Sequence, residues 1–245
     1  MNRLRSSTGP ISSEPVAPSF SVESAIFQDS HGDTTHTLFA PLHYEPGYAY
    51  PLIVWLHGRG GDERQLLRIM PLVSMRNYVA VAPRGPAESS DGPGYCWPQS
   101  DQYVQQAEHM VADSVDIASR KLHISSRRIF LAGFDCGGTM AFRAALRRPD
   151  LYAGVASLGG AFPCGSTPFR NLAAARKLPI FLATGRDSCE YPAESVCQDL
   201  RLLHSAGMSI TLRQYPCAHE LSPQMLSDLD RWIIEQITAP EVAAK

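Results

Sequence analysis

The segment Ile129-Phe130-Leu131-Ala132-Gly133-Phe134-Asp135-Cys136-Gly137-Gly138 decides the architecture. Its first four residues form an uninterrupted apolar run, the pattern of a strand covered on both faces. Gly133-x-Asp135-x-Gly137 then flanks one acidic residue with residues lacking a side chain. That allows a strand to reverse sharply into a helix with Asp135 at the tip. A single Gly-x-Asp-x-Gly also fits an ordinary strand-to-helix turn, so the surrounding sequence has to discriminate.

Similar apolar runs lie on both sides: Leu52 to Leu56, Tyr78 to Ala82, Gly154 to Leu158, Pro179 to Ala183 and the shorter Ile210 to Leu212. Between them run helical patterns. Val104, Ala107, Val111, Val115, Ala118 and Leu122 recur at steps of three and four, as do Val196, Leu200, Leu203 and Ala206 before Gly207, which suits a left-handed helix cap. Ser222-Pro223 opens a last helix with Leu226, Leu229, Ile233 and Ile237 inward, because serine caps free amides and proline fits the first turn. Nearer the start, Ser21 to Gln28 and Thr34 to Ala40 read as an antiparallel pair around a turn. Strands alternating with helices predict an α/β fold with a doubly wound, mainly parallel sheet and an antiparallel N-terminal strand pair.

The chain of 245 residues is 44% hydrophobic and 19% charged with a formal net charge of -2, which argues against nucleic acid as a partner. No run approaches the ~18 to 20 apolar residues of a membrane span. Residues 1–18 read as a disordered tail without the apolar stretch of a secretory signal, and 19–245 as one domain, which predicts a cytoplasmic protein. Six scattered cysteines contain no Cys-x-x-Cys, so free thiols are expected, with Cys189 and Cys217 the pair able to approach. No His, Cys and carboxylate spacing suggests a metal, and no cofactor is implied.

Ligands of open parallel sheets bind beyond the carboxyl ends of the strands. Four loops follow such ends: His57-Gly58-Arg59-Gly60-Gly61-Asp62, the turn at Asp135, Thr184-Gly185-Arg186-Asp187, and Tyr215-Pro216-Cys217-Ala218-His219. A tip residue, then an acid, then a histidine, each after a successive strand, is the chain order of α/β-hydrolase triads, and the first loop lies where their second oxyanion amide is found.

LIVWLHGRGGDERQL at 52–66, GFDCGGTMAFRAALRRPDLYAGVASLGGAFP at 133–163, ATGRD at 183–187 and His219 together resemble the phospholipase/carboxylesterase family of α/β-hydrolases, which includes acyl-protein thioesterases. The resemblance runs from about Tyr50 to Ile237. It implies an α/β-hydrolase fold without a large cap and cofactor-free hydrolysis of small ester or thioester substrates. By position, Asp187 would orient the histidine, His219 would be the base, and the amides of Arg59 and Cys136 would form the oxyanion hole. Trp97, in Gly94-Tyr95-Cys96-Trp97-Pro98, would line the acyl site.

The family's tip reads Gly-Phe-Ser-Gln-Gly-Gly, whereas this chain reads Gly-Phe-Asp-Cys-Gly-Gly. A serine must lose its proton to a base before it attacks. Asp135, with a reference pKa of ~3.9 and a helix N-terminus beside it, has no proton to lose. Carboxylate attack on an ester carbonyl gives an adduct that expels the carboxylate more readily than the alkoxide. At a saturated carbon, attack leaves an alkyl-enzyme ester that activated water hydrolyses, as in haloalkane dehalogenases and epoxide hydrolases. Those enzymes carry a cap and a proline after His-Gly-x, where this chain has Gly60. Three readings therefore stand open: an ester or thioester hydrolase, an Asp135-nucleophile hydrolase of alkyl substrates, and a non-catalytic binding module with Arg59 paired to Asp135.

Overall fold

The computed structural model describes residues 26–31, 34–163 and 170–239, so the expected tail at 1–18 lies outside the described residues. In chain order the elements are β1 (Ile26–His31), β2 (Thr34–Phe39), β3 (Tyr50–Leu56), α1 (Gln65–Val73), β4 (Val79–Pro83), β5 (Ala87–Glu88), β6 (Tyr95–Cys96), α2 (Asp101–Lys121) and β7 (Ile124–Phe134). They continue with α3 (Cys136–Arg147), β8 (Gly154–Leu158), α4 (Leu172–Ala175), β9 (Ile180–Gly185), α5 (Ala193–Ser205), β10 (Ile210–Tyr215) and α6 (Pro223–Thr238).

Eight strands form one sheet in the order β1-β2-β4-β3-β7-β8-β9-β10, with β5 and β6 a separate two-residue ribbon. The β1–β2 and β2–β4 pairings are antiparallel, and every other pairing in the large sheet is parallel. Full burial of β3, β4, β8 and β9 explains why their sequences read as continuous apolar runs. One face is covered by α2, α3 and α5 through residues such as Val104, Val111, Phe142, Leu146, Val196 and Leu203. The other is covered by α1 and α6 through Leu66, Ile69, Met70, Leu226, Leu229 and Trp232. Both faces being closed, ligands are left the loops at the strand ends.

Several boundaries differ from the sequence reading: β1 runs to His31 and β10 to Tyr215, beyond the expected ends at Gln28 and Leu212. β7 is 11 residues long, because Ile124 pairs with Tyr50 and the polar Ser125 to Arg128 form an irregularity before pairing resumes at Ile129 with Leu52. A hydrophobic run cannot reveal such an extension. The β5–β6 ribbon carries no apolar signal either, and it borders the candidate site. The caps fall as expected: Ser222 accepts a 3.2 Å hydrogen bond from the Met225 amide, and Gly207 adopts φ +74° after α5. Residues 159–179 are all that separates β8 from β9. No described helix is long and apolar enough to cross a membrane.

The tightest joint is where α3 starts against β3. A Cβ on Gly137 would lie 2.3 Å from the carbonyl oxygens of both Leu56 and His57, neither of which can yield without breaking the sheet edge. Gly137→Ala is expected to destabilise the fold by about 1–3 kcal/mol through overpacking. At roughly 2–4 °C per kcal/mol for a chain of this size, a clear fall in Tm follows, measurable by calorimetry. An unchanged Tm would show that α3 is not seated this closely.

Candidate active site

Asp135 caps α3 with φ 52° and ψ -125°, a conformation that a residue with a side chain rarely adopts. The turn is held by Asp135 N–H donating to Leu158 O at 2.9 Å and Thr139 N–H donating to Asp135 O at 3.1 Å. Gly133 is required there, because a Cβ would sit 2.5 Å from Gly137 O. This strained strand-to-helix turn has the geometry of a nucleophile elbow, and it lifts the Asp135 carboxylate out of the core.

The loop after β3 brings up a second amide. Gly85 N–H donates to His57 Nε2 at 2.8 Å, so Nε2 is the acceptor and the ring proton lies on Nδ1, which donates to Gly58 O at 2.8 Å. His57 thus clamps its own loop to the segment after β4 and stays out of the chemistry. Gly60 and Gly61 are clipped to Tyr95 by reciprocal backbone hydrogen bonds of 2.9 and 2.8 Å. The buried Glu63 accepts two hydrogen bonds from Arg84, at 2.7 and 2.8 Å, and braces the same loop. The result is Arg59 N–H donating to Asp135 Oδ2 at 3.1 Å. The hole expected to receive an oxyanion is filled by this chain's own carboxylate.

The other oxygen, Oδ1, faces His219 Nε2 at 3.4 Å. This approach is long, and the angle leaves Nε2 buried without a well-formed hydrogen bond. Burial, the largest influence, raises the Asp135 carboxyl, but the His219 contact and the amides of Arg59 and Cys136 together hold it below the ordinary aspartate value. It is ionised at neutral pH.

His219 lies beyond β10 with its ring against Phe134, centroids 5.2 Å apart. Its Nδ1 does not meet Asp187. The partner at Nδ1 is Ser188, whose Oγ lies 3.1 Å away and also accepts from Tyr191 N–H at 3.1 Å. Asp187 is exposed and uses its amide to bind Cys217 O at 3.0 Å; among the described residues its carboxylate has no hydrogen bond or ion pair. The sequence expectation is corrected by one position: past Gly185 the chain turns so that residue 187 points to solvent and the buried residue 188 points to the ring. No pattern signal distinguishes the two, because the alternation of a strand no longer applies.

Trp97 is also displaced from its expected place. It is buried, with its ring 5.5 Å from that of His57, and lies beneath the cleft instead of lining it. Cys136 contributes its amide, while burial pushes its thiol up to about 11, so the side chain is protonated and is no substitute nucleophile. Cys189 and Cys217 are free thiols. No group of three His, Cys, Asp or Glu placed to hold a metal occurs among the described residues.

The cleft above Asp135 measures about 440 Å³ and is lined by Arg59, Gly60, Ser89, Asp91, Phe134, Asp135, Glu190 and His219. Arg59 spans it, with Nη1 3.2 Å from Asp91 and Nε 4.0 Å from Asp135. Asp91 and Glu190, which enter from the β5–β6 ribbon and the loop after Ser188, were not visible as site residues in the sequence.

Comparisons with known proteins bear on the family and the fold. The Phospholipase/Carboxylesterase family profile matches residues 46–237. A putative esterase, NocK of Nocardia uniformis subsp. tsuyamanensis, is 34% identical over 133 residues, which are 50% of this chain and 38% of that protein. The chain therefore matches well under half the length of that relative. A carboxylesterase from Mesorhizobium loti superposes with a TM-score of 0.71 at 16% identity, covering 88% of this chain and all of that one. A Bacillus cereus carboxylesterase gives 0.66 at 16% identity, covering 83% and 95%. Arabidopsis thaliana SOBER1 gives 0.64 at 22% identity, covering 78% and 100%. At these identities the superpositions report the fold.

The clamp at His57 has a pH signature. Burial, the dominant influence, lowers its pKa from 6.5 despite the Gly58 carbonyl and the charges of Asp62 and Glu63. The unfolded chain binds this proton as pH falls below about 6.5. The folded chain does not, so unfolding is favoured by acid. The contribution is complete above the unfolded value and is lost as pH falls toward the folded one. Urea denaturation between about pH 8 and 5.5 should show a loss of stability that His57→Gln reduces. An equal loss in both proteins would mean that His57 is not the group responsible.

Proposed function

Because this chain belongs to the Phospholipase/Carboxylesterase family of hydrolases, we propose that it hydrolyses small ester-like and alkyl electrophiles with Asp135 as covalent nucleophile. The observation that carries this reading is the division of work between the two carboxylate oxygens. Oδ2 is bound by the Arg59 amide, and Oδ1 is turned toward His219 and the cleft.

Oδ1 attacks a saturated carbon of the substrate, forming a carbon–oxygen bond while the leaving group departs with the bonding pair. An ester enters this scheme through its alkyl carbon, its own carboxylate being the leaving group. Asp135 is now an alkyl ester whose carbonyl oxygen, Oδ2, lies in the hole. Water then attacks Cγ and gives its proton to His219 Nε2, and the charge that develops on Oδ2 is stabilised by the amides of Arg59 and Cys136. Collapse expels the alkoxide, which takes the proton from His219 and leaves as the alcohol, and the regenerated Asp135 carboxyl releases water's second proton to solvent. Acyl transfer is disfavoured because an incoming carbonyl finds the amide already bound to Asp135. The cleft volume of about 440 Å³ limits substrates to small molecules.

A second reading rests on Arg59. Its guanidinium joins Asp91 and Asp135 across the mouth of the hole, an arrangement that also suits a non-catalytic pocket.

Purified protein should be assayed against aryl esters, thioesters, epoxides and haloalkanes, with a single turnover run in ¹⁸O-water and peptides read by mass spectrometry. The proposal expects one ¹⁸O atom in the Asp135 carboxylate after one turnover. It also expects a first chemical step flat above about pH 5, since Asp135 is already ionised, and a loss of at least about 100-fold in Asp135→Asn. Label appearing directly in the product would rule out covalent attack by Asp135, and silence across the panel would favour the binding pocket.

A further inference from the structure

We propose that Ser188 is the positioning residue that lets His219 change which ring nitrogen carries the proton when Asp135 passes from carboxylate to ester. The kinetic side of this inference rests on the nucleophile mechanism above; its spectroscopic side does not.

Ser188 is 4% exposed, and its Oγ has two partners, the Tyr191 amide and His219 Nδ1. A hydroxyl has one proton to give and two lone pairs to offer. Tyr191 N–H takes one lone pair, so the hydroxyl proton finds its acceptor in Nδ1. Neutral His219 then carries its proton on Nε2, directed at Oδ1 of Asp135, 3.4 Å away. In this state the buried hydroxyl both gives and accepts, and the Nε2 proton lies on the side of the Asp135 anion, although the 3.4 Å approach is not a well-formed hydrogen bond.

That tautomer has no lone pair on Nε2 and cannot activate water. Esterification removes the reason for it, because Asp135 is then neutral and needs no donor at Oδ1. Ser188 then gives up Nδ1 as the acceptor of its own proton and offers its second lone pair to Nδ1–H, and Nε2 becomes free to take a proton from water. No heavy atom has to move.

A carboxylate at position 188 could not do this. It only accepts, and with Asp135 on the far side it would hold the ring doubly protonated between two anions, with no basic nitrogen. In Ser-His-Asp triads the carboxylate accepts from Nδ1–H and the hydroxyl lies at Nε2. Here the same three residue types are present with serine and aspartate exchanged. A carboxylate at 135 and a hydroxyl at 188 belong together.

The test is the protonation of His219 in protein labelled with ¹⁵N-histidine, read from long-range ¹H–¹⁵N spectra at about pH 8, above the ordinary histidine value. The unmodified protein is expected to carry the proton on Nε2 with Nδ1 accepting. Asp135→Asn mimics the neutral ester. With its oxygen kept on the Arg59 amide, its NH₂ faces Nε2, so the proton should move to Nδ1. Ser188→Asp should protonate both nitrogens at the same pH. Where an electrophile alkylates Asp135, Ser188→Ala should form the intermediate at an unchanged rate but break it down roughly 10²–10⁴-fold more slowly, the range ascribed to a positioned base. Nδ1 protonated in the unmodified protein, the same tautomer in Asp135→Asn, or normal breakdown in Ser188→Ala would each overturn the inference. The expected tautomers in a protein inert to every electrophile would uphold the role of Ser188 in choosing the tautomer and remove the covalent mechanism.

Discussion

The carboxylate of Asp135 rests on a backbone amide that the fold has been built to deliver, and most of the site's architecture serves that contact. The tip residue holds a left-handed conformation, which costs on the order of 1–3 kcal/mol. Hydrogen bonds to an ionised acceptor contribute roughly 1.5–3 kcal/mol each, enough to offset that strain. The contact also depends on features away from it: the close seat of Gly137 on β3, the His57 clamp, the Tyr95 clip and the Glu63–Arg84 brace. A shift in any of these moves the Arg59 amide away from Oδ2.

An oxyanion hole that already holds an anion changes what the rest of the site can do. It keeps its donors, but these now fix Oδ2 of Asp135 and leave Oδ1 facing His219 and the cleft. Histidine no longer has a proton to remove from the elbow residue. In the proposed mechanism its work falls in a later step, which requires a partner at Nδ1 that tolerates both ring tautomers. Asp135 and Ser188 face the two nitrogens of one imidazole, so the hydrogen that one side donates or accepts constrains what the other side can do.

Much of this was legible in the sequence. Continuous apolar runs announced the parallel strands, three- and four-residue periodicity announced α2, α5 and α6, and Ser222-Pro223 and Gly207 marked helix ends. The order of loops placed Asp135, Arg59 and His219 at one end of the sheet, where the structure brings them together. Asp187 misled because a carboxylate beside a turn attracts attention that a serine does not, and the choice between neighbours is made by a loop dihedral, not by composition. Trp97 misled in the opposite way: an aromatic near a pocket was read as lining it, while packing placed it underneath. Asp91, Glu190 and the β5–β6 ribbon left no trace, since short polar segments acquire their position only from contacts distant in sequence.

The central claim is that Asp135 is held as an anion by the amides of the hole and by His219. The titration of its side-chain carbon, followed by ¹³C NMR in the folded protein, measures this directly. The account predicts a midpoint below the ordinary aspartate value of 3.8. A midpoint at or above that value would mean that burial outweighs the donors, that the hole does not grip the carboxylate, and that the account of the site is wrong.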